Sequence, residues 1–233
     1  LGEACKPKLE WEGIMIIDCH AHVSAPVELW AYKAGLLAHR GAHGRGKVNV
    51  TDEQIRYAVE EHKEAFPHPH LPYIDRVGTD IQLVSPRPFH LMHSEKPAKL
   101  VQWFHEEVNN IIHRETQLYP DRFVGIAGIP TVGGEPLDIA ISELDRCVNE
   151  LGFKGCLLNP DPYENTGIHP PAMGDKYWYP LYEKLCELAV QPARYVPKVT
   201  YSLGPHRMGS LRPGEEAPLN ENTVYNVWIT GQF

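Results

Sequence analysis

Two histidines, His20 and His22, are separated by one residue and directly follow the short apolar run MIID at 15–18. Side chains at positions i and i+2 of a strand point to the same side. Both imidazoles are therefore expected to face one side of a strand end, with Cys19 and Ala21 on the other. Imidazole nitrogens are good ligands for zinc and similar divalent cations. The pair predicts a metal site, and the alternative is two unrelated loop histidines in a chain that contains 13 histidines.

Three further polar residues lie at the ends of predicted strands. Ser85 and Arg87 belong to the run IQLVSPRP, and Asn159 closes the run FKGCLLNP. Arginine presents a planar fork that binds a carboxylate through two parallel hydrogen bonds. These three residues are candidates for binding a substrate. The alternatives are a surface arginine between two prolines and an asparagine that caps the next turn.

Short apolar runs alternate with helical patterns along most of the chain. Strands are predicted at 15–18, 81–85, 122–130 and 153–160, and helices at 51–66, 99–119, 136–152 and 175–188. This alternation indicates an α/β fold with parallel strands and crossover helices. Four such units would form either a small open sheet or the first half of an eight-stranded (β/α)8 TIM barrel. In a barrel, active sites form at the strand ends where the histidine pair lies.

The remaining polar segments are predicted to carry no chemistry. The Gly-, His- and Arg-rich stretch 38–49 is typical of a mobile loop, with a lid as the alternative. His68 and His70 are assigned to a loop. His105 is assigned, with its acidic neighbours, to a solvated helix face far from the strand ends.

The composition is that of an ordinary globular chain. Its 233 residues are 42% hydrophobic and 22% charged, which suffices for one sizeable core. The formal charge of −8 argues against nucleic acid or an anionic membrane as a partner. No run approaches the roughly 18 consecutive apolar residues of a spanning helix. Five scattered cysteines without a C-x-x-C pair predict reduced thiols and a cytoplasmic location.

Several blocks resemble the amidohydrolase superfamily. MIIDCHAH resembles its metal-binding opening, and YPDRFVGIAGIP, ISELDRCVNELGFKGCLLNP and DKYWYPLYEKLCEL are similar to successive blocks of the amidohydrolase-2 branch of decarboxylases and hydratases. HLPYIDRVGTDIQLVSPRPFHLMHSEKP is most similar to the 4-oxalomesaconate hydratases. The resemblance covers about residues 15–188. It implies a (β/α)8 barrel with one catalytic divalent metal, usually zinc, and it implies that His20 and His22 bind this metal.

The resemblance also implies a reaction. A hydro-lyase of this kind adds water to an unsaturated oxo-polycarboxylate in aromatic-acid catabolism, so the implied partner is a small polycarboxylate with Arg87 as its clamp. Zinc lowers the pKa of bound water to about 7, and a base and cationic groups complete the hydration. Decarboxylation (a carboxy-lyase) and hydrolysis in the same family remain alternatives. D-x-H-x-H also opens histidinol-phosphatase-like and TatD-like hydrolases, against which PDRFVGIAGIP and Arg87 argue.

The sequence departs from the family after residue 188. The family supplies a histidine at the end of the fifth strand and an acidic residue near the eighth, but no histidine follows here before His206. The expected organisation is an N-terminal extension at 1–14, a half barrel at 15–188 and an atypical tail at 189–233. A truncation, a retained intron or a shifted reading frame would each produce this tail.

Two hypotheses follow for the chain as it stands. Catalytic zinc sites typically have about three protein ligands, so the chain is expected to hold a divalent metal weakly and to be inactive, with the general base beyond the chain end. The second hypothesis is a non-catalytic fragment. The open edges of its first and fourth strands would favour aggregation or homo-oligomers unless the tail covers them.

Overall fold

The computed structural model describes residues 15–62, 69–87, 91–159, 161–163, 166–190, 198–202 and 226–230. Its strands are β1 Ile17–His22, β2 Ile81–Ser85, β3 Phe123–Gly128, β4 Gly155–Leu158, β5 Lys198–Ser202 and β6 Asn226–Thr230. Its α-helices are α1 Val27–His39, α2 Asp52–Glu60, α3 His70–Val77, α4 Ala98–Leu118, α5 Asp138–Asn149 and α6 Tyr179–Val190, the last preceded by a 3₁₀ helix at Lys176–Trp178. The predicted extension at 1–14 lies outside the described residues.

One sheet holds all six described strands in the order β1-β2-β3-β4-β6-β5. The first four strands are parallel, and helices connect them. The predicted succession of four βα units is therefore confirmed. Because the strands are parallel, their carboxyl ends lie at one edge, where His22 and Ser85 end β1 and β2 side by side.

The core lies between the sheet and the helices. On α4, the longest described helix, Leu100, Phe104, Val108 and Ile111 are buried at helical spacing. Burying such a stripe is the main force that fixes a helix on a sheet. The start of α2 is set by the predicted capping box, in which Thr51 and Gln54 exchange side-chain and backbone hydrogen bonds.

Two histidine assignments from the sequence are wrong. His70 begins α3 instead of lying in a loop, since the prolines at 69 and 72 occupy the N-cap and the first turn, where proline is tolerated. His105 is fully buried on α4 instead of solvated. Its Nδ1 donates to the carbonyl oxygen of Val101, 2.8 Å away, and burial lowers the pKa of the ring well below its usual value, so the ring is neutral near pH 7.

The segment predicted as a mobile loop is attached to α4. The segment follows helix α1, and the sequence patterns did not predict this helix. Arg45 pairs with Glu106 and, at 2.7 Å, with Glu107. Gly41 adopts φ 77°, and a Cβ there would lie 3.1 Å from Leu100. These contacts place the segment against the helix that follows β2.

The tail covers the edge of β4. Strand β6 pairs antiparallel with β4 through Leu157↔Trp228 and Leu158↔Val227, and β5 pairs antiparallel with β6. The predicted strand VTYSL corresponds to β5, whereas the predicted strand ARYV lies outside the described residues. In the described part of the chain, no helix is long and apolar enough to cross a membrane.

Candidate active site

Strand β1 contains a bulge between Asp18 and Ala21, so the first histidine of the pair, His20, lies within it. Asp18 is paired with Gln82 and Ala21 with Val84, so three steps along β1 match two along β2. A bulge redirects side chains and leaves one residue outside the regular ladder. The imidazole rings of His20 and His22 lie next to each other at this strand end, with centroids 5.1 Å apart and planes at 79°.

The hydrogen bonds of His22 determine which ring nitrogen can bind a cation. Nδ1 lies 3.1 Å from the carbonyl oxygen of Pro86 and 3.0 Å from Oγ of Ser85. A carbonyl oxygen can only accept, so Nδ1 carries a hydrogen, and in the neutral ring Nε2 then carries the lone pair. Metal-binding histidines usually have this arrangement, in which the outer hydrogen bond fixes the ring.

Ser85 contacts the His22 ring from the neighbouring strand β2. Its side chain is fully buried, and Oγ donates to the carbonyl oxygen of Ala21 at 3.1 Å while lying within hydrogen-bond distance of His22. The hydroxyl therefore links the ends of β1 and β2. The role of Ser85 as a substrate contact stays a prediction.

A polar network lies beside the pair, and we call Ser24, His70, Gln82 and Asp18 the support network. Asp18 accepts the backbone N–H of His20 with Oδ1, at 3.0 Å, and Nε2 of Gln82 with Oδ2, at 2.8 Å. Oε1 of Gln82 lies 2.6 Å from Nε2 of His70, and Nδ1 of His70 lies 3.0 Å from Oγ of Ser24. The network connects α3 and β2 to the bulge of β1.

The protonation of His70 follows from its partners. Gln82 donates with its nitrogen to a carboxylate, so its oxygen accepts and Nε2 of His70 is the donor. Burial lowers the pKa of His70 more than the hydrogen bond to Gln82 raises it, and the charge of Arg87 lowers it further. The ring is therefore neutral near pH 7, and the hydroxyl of Ser24 donates to its Nδ1.

A cavity of about 300 Å³ lies at this end of β1 and β2. It is lined by the histidine pair, by members of the support network, and by Arg87 and His62. A cavity of this size suits a small molecule. Arg87 thus shares one space with the imidazole pair, as its predicted role requires.

Asn159 lies at the end of β4 and does not line this cavity. Its Oδ1 accepts the backbone N–H of Asp161 at 3.0 Å, so the side chain caps the turn that follows. Capping of this turn was the alternative to substrate binding in the sequence analysis. Substrate binding by its amide nitrogen stays a prediction.

The donor set fits a divalent cation in kind but supplies few ligands. Among the residues that the structure describes, no group of three or more His, Cys, Asp or Glu side chains is arranged to hold a metal ion. His20 and His22 would supply two of the roughly three protein ligands of a catalytic zinc site. Their assignment as metal ligands stays a prediction.

A parallel βα sheet with polar side chains and a cavity at the carboxyl ends of its strands is typical of α/β-barrel enzymes, whose active sites form at this end. Residues 17–191 match the amidohydrolase family model, and the chain belongs to this family. It is 35% identical over 181 residues to the 2-keto-4-carboxy-3-hexenedioate hydratase of Sphingobium sp., covering 76% of this chain and 50% of that protein.

Solved structures agree with this assignment. The crystal structure of 4-oxalomesaconate hydratase from Rhodopseudomonas palustris matches with a TM-score of 0.64 and 30% identity, over 76% of this chain and 50% of that one. A dihydroxybenzoic acid decarboxylase from Polaromonas sp. with bound manganese matches with a TM-score of 0.51 at 21% identity, over 76% of this chain and 47% of that one, which shows the fold alone. The resemblance inferred from the sequence blocks and the partial barrel are confirmed.

The chain spans about half the length of the curated hydratase and of the hydratase structure that it matches. Sequence reasoning predicted the histidine pair and Arg87, which the structure places around one cavity, but missed the support network. One signal was present in the sequence, since Gln82 is a polar residue inside the apolar run IQLVS and is buried. A buried amide in a strand requires hydrogen-bond partners, which indicates a polar neighbourhood.

Proposed function

We propose that this chain forms the first half of the active site of a metal-dependent hydro-lyase that adds water to an unsaturated oxo-polycarboxylate. The observation that carries the proposal is the imidazole pair at the end of β1, with Nδ1 of His22 fixed by Pro86 so that Nε2 is the metal-binding atom. The likeness to two hydratases, each over 76% of the chain, supports the reaction class.

Each residue has a defined part in this proposal. His20 and His22 hold zinc or another divalent cation, which would supply the positive charge that activates water and stabilises developing negative charge. Arg87 binds a substrate carboxylate through its planar fork. Ser85 orients His22, and Asn159 offers its amide nitrogen to a distant part of the substrate.

A carboxy-lyase is the second candidate. A gamma-resorcylate decarboxylase from Rhizobium radiobacter is 40% identical over 62 residues, but these residues are only 27% of this chain and 18% of that protein. The hydratase match is three times as long in this chain, so we place hydration first. Both reactions would use the same cation and the same arginine.

We further propose that the chain alone holds the cation weakly and does not turn over substrate. Among the residues that the structure describes, the site offers two imidazoles, which are fewer than the roughly three protein ligands that a catalytic zinc ion requires. The test is the zinc content after dialysis together with turnover of 4-oxalomesaconate. We expect far less than one equivalent of zinc and no turnover, and near-stoichiometric zinc with turnover would contradict this.

The reaction class can be tested in a chimera. Residues 15–188 would be joined to the C-terminal half of the Rhodopseudomonas palustris hydratase, and His20→Ala in the chimera would serve as the inactive control. The proposal predicts water addition to 4-oxalomesaconate and no release of carbon dioxide from 2,6-dihydroxybenzoate. Decarboxylation without hydration would favour the second candidate.

A further inference from the structure

We infer that His70 is a positioning residue for the imidazole pair and holds His20 in place through Gln82 and Asp18. No function was predicted for His70 from the sequence. Its importance for a bound cation depends on the proposed function, whereas its effect on the backbone of β1 does not. The inference is carried by the hydrogen bonds of the support network and by the bulge that the network contacts.

The bulge creates the need for such support. Between Asp18 and Ala21, β1 contains one residue more than the facing part of β2, so the regular ladder is interrupted there. The backbone N–H of His20 donates instead to the carboxylate of Asp18 at 3.0 Å. The position of the His20 backbone therefore depends on where this carboxylate points.

The carboxylate is held from the neighbouring strand. Nε2 of Gln82 donates to Oδ2 of Asp18 at 2.8 Å, and Gln82 is buried, with 7% of its surface exposed. The oxygen of the same amide accepts from His70 at 2.6 Å. If the amide flipped, an N–H group would face the N–H of His70 and an oxygen would face a carboxylate, so one orientation is strongly favoured.

His70 is itself fixed on both sides of its ring. Nδ1 accepts from Ser24, and the ring lies 5.2 Å from the ring of Phe123 between centroids. Each of the four hydrogen bonds of the network thus has a determined donor and acceptor. Networks in which every member is satisfied rigidify the groups that they contact, and the group contacted here is the backbone of His20.

A metal-free experiment tests the inference on the whole chain. The exchange rate of the His20 amide proton is measured by NMR in the wild type, in His70→Phe and in His70→Gln, with Asp18→Ala as the positive control. His70→Phe removes the donor to Gln82, and we expect exchange about fivefold faster or more. His70→Gln restores a donor near the position of Nε2 and is expected to exchange at the wild-type rate.

The matched control is His62→Phe, since His62 lines the same cavity and is not part of the support network. It should leave the exchange of the His20 amide unchanged. An unchanged rate in His70→Phe, or an equal acceleration in His62→Phe, would overturn the inference. If His70→Phe does not fold, Gln82→Met interrupts the same network and is judged by the same criterion.

A second measurement connects the network to a cation. Co²⁺ is titrated into each variant and followed by visible absorption, with the double variant His20→Ala/His22→Ala as the reference. Loss of the hydrogen bond that orients a metal-binding imidazole weakens binding by about tenfold or more. His70 acts further from the cation, through Gln82 and Asp18, so His70→Phe is expected to weaken Co²⁺ binding measurably but by less than this factor. Wild-type binding that does not depend on the histidine pair would contradict the proposed function, and the exchange rates would still decide the role of His70.

Discussion

Nδ1 of His22 lies 3.0 Å from Oγ of Ser85, its paired neighbour across β1 and β2. The orientation of the imidazole is thus determined jointly by two strands, because the hydroxyl also donates to the backbone of β1. Parallel pairing places the carboxyl ends of both strands at one edge of the sheet. The contact between Ser85 and His22 at this edge fixes the orientation of the His22 ring. Removing a hydroxyl that contacts no cation should therefore alter cation binding.

Ser85→Ala is the corresponding variant. It removes one of the two oxygen atoms that contact Nδ1 of His22 and keeps the other, the carbonyl oxygen of Pro86, so we expect about tenfold weaker Co²⁺ binding. The carbonyl oxygen of Ala21 loses a buried donor, which should lower the free energy of unfolding by about 1 kcal/mol in urea titrations. Ser142→Ala on the exposed surface of α5 is the control and should change neither quantity. Wild-type Co²⁺ affinity in Ser85→Ala would refute the assigned role.

The buried ring of His105 predicts that the fold is less stable in acid. Burial lowers the pKa of His105 well below its usual value, and the neighbouring His93 lowers it further. Below pH of about 6.5 the unfolded state therefore binds a proton that the folded state does not, so stability is complete above this pH and falls as the pH decreases.

From this one site the slope approaches about 1.4 kcal/mol of unfolding free energy per pH unit only well below a pH of about 6.5, so the loss expected between pH 7.5 and 5.5 is about 1.4 kcal/mol in total. Urea titrations between pH 7.5 and 5.5 measure it, and His105→Leu should show a correspondingly smaller loss over the same range. If His105→Leu and the wild type lose stability equally, His105 does not carry this dependence.

Arg87 should decide the affinity for carboxylates. Calorimetry with mesaconate, a small unsaturated dicarboxylate, measures this affinity in the wild type, Arg87→Lys and Arg87→Met. Loss of a charged hydrogen bond predicts about tenfold weaker binding or more for Arg87→Met, and lysine should restore only part because it lacks the planar fork. Arg76→Met, at an exposed position on α3, should bind like the wild type. Binding of mesaconate by Arg87→Met with the wild-type affinity would exclude Arg87 as a carboxylate-binding residue.

The tail should protect the chain from association through β4. Strand β6 lies between β4 and β5, and its residues Val227 and Trp228 are paired with both neighbours. Val227→Pro removes one N–H, and light scattering should detect larger particles because the edge of β4 becomes available. Val227→Ala keeps the N–H and is the control. A monodisperse Val227→Pro variant would show that β6 does not have this protective role.

Local sequence signals predicted the elements whose boundaries are set locally. The strand at 81–85 was predicted with its observed bounds, because a proline follows the apolar run directly. The start of α2 was predicted from Thr51 and Gln54, since a capping box is formed by residues three positions apart. The spacing of His20 and His22 likewise indicated a shared strand end.

The missed features depend on residues that are distant in the sequence. The bulge of β1 is defined only by its register with β2, more than 60 positions away. His70 reaches Gln82 and Ser24 through tertiary contacts that no local pattern encodes. The burial of His105 depends on which side of α4 faces the sheet. That side also contains polar residues, so the sequence did not indicate that it is buried.

The central claim is that His20 and His22 bind one divalent cation together. A stepwise Mn²⁺ titration followed by NMR of the imidazole rings tests it directly, because a paramagnetic ion broadens nearby signals even when it is weakly held. The account predicts that the ring signals of His20 and His22 broaden together at the lowest Mn²⁺ concentration and that the effect disappears in His22→Ala. Broadening that begins at other histidines while these two rings remain sharp would contradict it.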